Sequence, residues 1–256
     1  MGGRIDCYLD IVSFYSYLAF LDLLKNRDLL KSYAIEVDFR PVLLGAINVG
    51  SGNKPPWTLP AKAHYGKYDA QRALARFPGL ALSFPADLMA VSMTATPNRA
   101  LHYIKRNFPP QTFHTALHHL LYTFWSPPNV NLSRPENVAK ALSEVSVGFD
   151  GNSSKGTPLF TAQEVQTIMQ AASSAEYKDL LKATTQEALE RGAFGAPWLW
   201  VTNEAGVAEP FFGSDRFHFV YKFLGLPFQE VMLLPASSSE QTGASSAGAG
   251  GGKPKL

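Results

Sequence analysis

Only one cysteine, Cys7, is present in 256 residues. That scarcity excludes an internal disulfide and any metal site built from several thiolates, and it suits a reducing compartment. Charge is scarce too: 17% of residues are charged, and 23 basic against 21 acidic side chains leave a formal charge of +2. So small a surplus argues against a nucleic acid or an anionic membrane as partner. No run approaches the roughly 18 apolar residues of a bilayer span, and the start, Met1 to Cys7, lacks the apolar segment of a secretory signal. The chain therefore reads as soluble and intracellular. A Gly-x-Gly-x-x-Gly or phosphate-loop pattern, which would argue for a nucleotide, is also missing. Apolar material is plentiful, at 46% hydrophobic and 12% aromatic residues. That is enough for a sizeable core and excludes disorder throughout.

Alternation of Ile5, Cys7, Leu9 and Ile11 with Asp6, Tyr8 and Asp10 predicts a strand over 5–12, with Cys7 as a buried, inert thiol. A helix should follow at once, N-capped by Ser13 or Ser16, carrying Tyr17, Leu18, Phe20, Leu21, Leu24 and Leu29 up to a polar break at 26–31. Ile35 to Leu43 alternates again, which gives a β-α-β unit with a parallel pair and a right-handed crossover. Gly45 to Pro60 is rich in Gly, Asn and Pro and reads as an irregular surface loop.

Helical periodicity then dominates, over 61–77, 97–108, 111–125, 136–145, 162–172 and 175–191. Strand character returns at 198–201 and 209–212 around the turn residues Asn203 to Gly206, and a last helix spans 216–224. The order βαβ, helical insertion, ββα is the layout of an α/β thioredoxin-like fold with an inserted all-helical domain. The expected division is 1–60 with 192–235 for the thioredoxin-like domain, 61–191 for the helical domain, and 236–256 for a tail. Of the 21 tail residues 14 are Gly, Ser or Ala, the composition of a flexible linker.

Four local patterns bear on chemistry. Ser13-Phe14-Tyr15-Ser16 falls where a strand meets a helix start, the place where a thioredoxin-like protein carries Cys-x-x-Cys. Helix N-terminal amides favour a nearby anion, and a serine there can donate a hydrogen bond to a thiolate but cannot exchange disulfides; the alternative is a plain N-cap. Gly192 to Pro197 leads into the third strand, and a cis Ala196–Pro197 bond would turn the Ala196 main chain outward to pair with an extended peptide. Ser214 or Asp215 caps the final helix and could hold a ligand carboxylate. His114, His118 and His119 share one predicted helix with metal-like spacing, but no third ligand is apparent, so they read as surface or core histidines and no metal is expected.

Taken together, 10–18, Arg40 to Leu44, Ser51 to Pro56, Gly192 to Pro197 and Phe212 to Arg216 closely resemble kappa-class glutathione transferases. The bacterial 2-hydroxychromene-2-carboxylate isomerases share much of the pattern. The resemblance runs from about residue 5 to residue 228. It implies a DsbA-like helical insertion, a homodimer, and glutathione as co-substrate beside a small electrophile, with no covalently bound cofactor. Ser13 is implied to donate to the glutathione sulfur, with Phe14 and Ser16 in support. Asn53 and Lys62 would contact the tripeptide, Ala196 would pair with its cysteinyl unit beside Pro197, and Ser214 and Asp215 would hold the γ-glutamyl end. One departure stands out, because the family usually has proline where this chain has Phe14.

The reaction so implied is attack of a serine-stabilised glutathione thiolate on an electrophile, with peroxidase activity as an extension. The alternatives are a glutathione-dependent isomerase of the chromene-carboxylate type and a non-catalytic module that binds glutathione or a peptide. The last residues, Pro254-Lys255-Leu256, resemble a peroxisomal address. The class that the chain resembles includes peroxisomal and mitochondrial members, and a chain whose signal is not read would stay cytoplasmic.

Overall fold

A computed structural model describes residues 2–151 and 156–230. Four strands form one mixed sheet in the order β2-β1-β3-β4. Strand β1 (Gly3–Leu9) lies parallel to β2 (Ile35–Pro41) and antiparallel to β3 (Trp198–Asn203), whose partner β4 (Ala208–Phe212) forms the edge. Between β1 and β2 run α1 (Phe14–Lys25) and α2 (Arg27–Ser32). Between β2 and β3 come α3 (Leu44–Ser51), α4 (Pro60–Leu74), α5 (Ala95–Asn107), α6 (Pro110–Trp125), α7 (Pro135–Glu144), α8 (Ala162–Ser173) and α9 (Ala175–Glu190). Helix α10 (Phe217–Phe223) follows β4. The sheet and the six periodic helical segments stand where the sequence places them.

β1 is buried on both faces, which is why its alternation of polar and apolar residues does not mark a solvent side. Ile5, Cys7 and Leu9 enter one continuous core that reaches Phe124 and Trp125 of α6 and Val220 of α10. Tyr8 faces the other way, into a small cluster with Ile47 of α3, Ala188 of α9 and Trp198. There its hydroxyl donates to Glu187 at 2.9 Å, and Arg191 donates to Asp6 at 2.8 Å, so the polar half of the strand is paired under α9 instead of hydrated.

Some boundaries differ from expectation. β1 ends at Leu9, because Asp10 to Ser13 closes a turn in which Ser13 N–H donates to the Asp10 carbonyl at 3.0 Å. The polar stretch after Asn26 is helical as α2, although its Leu29 is exposed. The largest correction concerns 45–60, which is not an irregular loop: it contains α3 and a 3₁₀ turn, Pro56–Thr58. The Asp10 carboxylate accepts from Leu44 N–H at 2.7 Å and so supplies the helix start that no local residue provides. Gly50 serves close packing there, since a Cβ at that position would sit 2.6 Å from Leu189 Cδ1. The 236–256 tail with its Pro-Lys-Leu segment lies outside the described residues.

Candidate active site

The turn after β1 places Ser13 as the N-cap of α1, in extended conformation, with its Oγ accepting from Ser16 N–H at 3.1 Å. This decides between the two serines offered as caps. Capping satisfies one of the orphan donors of the helix start and leaves the first-turn amides aimed along the axis toward any anion beside them. Ser16 lies within the helix, fully buried, and its Oγ accepts from Asp10 N–H at 3.5 Å.

The second function of the Ser13 hydroxyl comes from 183 residues away. Its proton goes to the Ala196 carbonyl, 2.8 Å distant, and both residues are more than nine-tenths buried. Ala196–Pro197 is a cis peptide at the entrance to β3. The preceding loop is held from two sides. Asn53 Nδ2 donates to the Phe194 carbonyl at 2.6 Å, and Gly195 lets the Phe212 ring pack close, since a Cβ there would lie 2.8 Å from it. Gly213 N–H donates to the Pro197 carbonyl at 3.2 Å, which draws the 213–215 segment to the same corner.

Ser13, Ala196, Pro197, Asn53 and Ser214 thus come together around one loop. Ser214 is buried, whereas Asp215 is exposed and ion-paired with Arg216. Neither caps α10: the N-cap is Arg216 and no side chain bonds to the helix start. Gly213, at φ +94°, and its bond to Pro197 hold Ser214 inward, two residues before the cap position. Lys62, in the first turn of α4, is exposed and stands apart from these contacts.

Phe14 occupies the helix position after Ser13 and is buried in an aromatic cluster. Its ring centroid is 5.0 Å from that of Phe84 and 5.3 Å from that of Trp125. Trp125 Nε1 donates to the Ile11 carbonyl at 2.8 Å, so the cluster is tied to the turn that presents Ser13, and the half-exposed Phe84 offers its ring to solvent. At this position phenylalanine provides packing where a proline would provide a fixed φ.

Sequence reasoning missed the group that braces the whole turn. Asp10 is 1% exposed, and Thr94 Oγ1 (2.6 Å), Asn98 Nδ2 (2.7 Å) and Val12 N–H (3.4 Å) donate to one of its carboxylate oxygens while Leu44 N–H donates to the other. Burial pushes this carboxyl up, and the four donors counteract it without reversing the direction. The signal was a lone carboxylate between Leu9 and Ile11 at a strand end, where solvation is not available. Cys7 is fully buried and burial drives its thiol far above its ordinary range, so it cannot serve as a nucleophile here.

His118 and His119 are buried in α6 and pack against Phe149, with ring centroids 5.1 and 4.8 Å away; His114 packs against Phe39. They are core side chains. Among the described residues no three His, Cys, Asp or Glu side chains are grouped so as to hold a metal ion.

A mixed sheet entered through a helix-capping serine, with a cis-proline opposite, defines a thioredoxin-type scaffold. The DSBA-like thioredoxin domain family matches residues 4–225, and the chain belongs to it. The chain is 27% identical to human glutathione S-transferase kappa 1 over 223 residues, 86% of this chain and 90% of that one. It is also 27% identical over 226 residues to 2-hydroxychromene-2-carboxylate isomerase of Sphingobium xenophagum, 88% of this chain and 99% of that one. Among solved structures, a 2-hydroxychromene-2-carboxylate isomerase superposes with a TM-score of 0.63 at 21% identity, covering 87% of this chain and 94% of its own. The cytosolic disulfide reductase DsbM of Pseudomonas aeruginosa gives 0.53 at 12% identity, covering 87% and 95%. At these identities the two structures speak for the fold.

Proposed function

We propose that this protein is a glutathione transferase in which the Ser13 hydroxyl and the N-terminal amides of α1 stabilise a glutathione thiolate for attack on an electrophilic carbon or a peroxide. The observation that carries the reading is Ser13 itself: a buried hydroxyl at a helix N-terminus, in hydrogen-bond contact with the main chain of Ala196, on a site whose own chain offers no reactive thiol. The nucleophilic sulfur then has to arrive with the ligand. The name of the human relative, glutathione S-transferase kappa 1, supports the same chemistry.

A free thiol titrates near 8.5, and each unit of lowering corresponds to about 1.4 kcal/mol of preference for the thiolate. One hydroxyl donor with the helix amides supplies about one to two units. The chain's remaining task is positioning. In this reading Ala196 pairs with the cysteinyl unit, Asn53 and Lys62 reach the tripeptide from one side, and Ser214 and Asp215 take the γ-glutamyl end. Asn53 has a second task, because its amide already fixes the loop that carries Ala196. The electrophile meets Phe84 and, behind it, Phe14 and Trp125, a ring surface suited to a planar aromatic substrate. The active assembly is a homodimer, and the Pro254-Lys255-Leu256 segment directs it to peroxisomes; a reporter carrying only the last dozen residues that stays cytosolic removes the latter point.

The test is glutathione conjugation of a chloronitroaromatic by wild type and Ser13→Ala. Loss of one such donor lowers kcat/KM about 100-fold; unchanged turnover removes Ser13 from the reaction. The near-complete coverage of the Sphingobium isomerase favours a second reading, glutathione-dependent isomerisation of an aromatic carboxylate. There glutathione is recovered unconsumed after turnover, whereas a transferase consumes it.

A further inference from the structure

The hydroxyl that the proposed chemistry needs is already engaged. Ser13 has one O–H proton, and in this structure the Ala196 carbonyl holds it at 2.8 Å, while the Ser13 oxygen accepts from Ser16 N–H at 3.1 Å. A serine cannot donate to a carbonyl and to a sulfur at the same time. Releasing it strips a partner from a carbonyl on a residue only 8% exposed, and an unpaired buried polar group is costly. Something must replace the hydroxyl at that carbonyl before the hydroxyl can turn.

We propose that an amide N–H of the bound thiol peptide makes this replacement: by donating to the Ala196 carbonyl it frees the Ser13 hydroxyl to rotate toward the sulfur, so that Ser13 activates only thiols that carry an N–H beside the cysteinyl carbon. The exchange moves hydrogen bonds and no covalent bond. The Ser13 proton stays on its oxygen, and the thiol proton leaves to solvent as the thiolate forms. Ala196 acts here as a specificity-determining position through its main chain. It discriminates peptide thiols from simple alkyl thiols by whether they can fill one acceptor, and the discrimination falls on thiol ionisation as well as on affinity. The inference rests on the glutathione-transferase reading and goes beyond it, since a serine that merely pointed at the sulfur would ionise any thiol placed there.

The experiment compares glutathione with its ester analogue, in which the N–H between the γ-glutamyl and cysteinyl units is replaced by oxygen. Binding is measured by calorimetry, and the pKa of the bound thiol by thiolate ultraviolet absorbance against pH at saturating ligand. Wild type is set beside Ser13→Gly, which lacks the hydroxyl but retains a tolerated N-cap residue. For glutathione, Ser13→Gly is expected to raise the pKa of the bound thiol by about one unit, about a tenfold change in its ionisation constant. For the ester the two proteins should agree within about twofold. A Ser13-dependent lowering for the ester equal to that for glutathione overturns the exchange. An ester that binds neither protein makes the N–H a determinant of affinity alone and overturns it equally. If glutathione itself binds with no Ser13-dependent shift, the transferase reading falls, and this inference falls with it.

Discussion

Around Asp10 both carboxylate oxygens meet donors, four in all, whereas along α6 the His114 Nδ1 and His118 Nε2 atoms are buried with no hydrogen-bond partner. Both regions bury titratable side chains, yet they solve the problem in opposite ways. A carboxylate cannot shed its need for donors except by taking a proton, so the fold gathers Thr94, Asn98, Val12 and Leu44 about it, and these same contacts fix the turn that presents Ser13. An imidazole can stay neutral and pack as an aromatic ring, as His118 does against Tyr17, Phe20 and Phe149. The first arrangement orders a site; the second fills a core. The difference teaches that the buried polar group worth following toward function is the one that has collected partners.

Removing the Asp10 carboxylate should break this contrast most severely. Asp10→Ala leaves the Leu44 amide and the Thr94 hydroxyl buried without their acceptor and the Asn98 amide with only the Val42 carbonyl, and at about 1–3 kcal/mol for each stranded donor we expect a loss of about 3–5 kcal/mol, read from the urea midpoint at constant slope. A loss under about 1 kcal/mol would mean that the network is incidental.

Acid should act on the histidine region next. Burial lowers His102, His114, His118 and His119 to about 4, from an ordinary value near 6.5. Between those values the unfolded chain binds protons that the folded chain refuses, so stability is full above about pH 6.5 and falls as pH drops toward 4. Asp10, shifted upward, and Asp22, raised to about 6, run the other way, because the folded form takes the proton first. The four histidines outnumber them, and the denaturation midpoint is expected to decline from pH 7 to pH 5. A midpoint that rises over this range would place the balance with the carboxylates.

The smallest effect sharpens the comparison at a single residue. His118→Phe keeps an aromatic ring among aromatic neighbours and removes a titrating group. Stability at pH 7 should change by about 1 kcal/mol or less, and the acid decline should become shallower. A large loss at pH 7 would show that His118 has a polar partner after all.

Much of the fold was legible in local pattern. The alternation of 5–9 and 35–41, the helical spacing through 175–190 and the Asn203 to Gly206 turn each carry their own signal, and the structure follows them. The Asn203 side chain accepts from Ala205 and Val207 N–H at 3.0 and 3.1 Å, as a turn-forming asparagine should. Helix α3 was not legible. Its glycines and asparagine speak against a helix, and what stabilises it comes from elsewhere: the Asp10 carboxylate at its start and Leu189 against Gly50. The failed cap at Ser214 and Asp215 has the same origin, a backbone bond from Gly213 to Pro197 that local sequence does not encode.

For the candidate site, the Ser13 turn was readable because an N-cap is a short-range device, settled within three residues by the bond between Ser13 Oγ and Ser16 N–H. The single cysteine, likewise, already excluded an internal disulfide, and its complete burial in the core shows that a reactive sulfur has to come from outside. Which carbonyl holds the Ser13 proton, and which four donors hold Asp10, was decided only by the tertiary structure, across separations of 183 residues in the first case and up to 88 in the second. Periodicity and capping report the neighbours along the chain. A buried hydroxyl or carboxylate chooses its partner from whatever packing brings within hydrogen-bond distance, and that choice is made by the core as a whole.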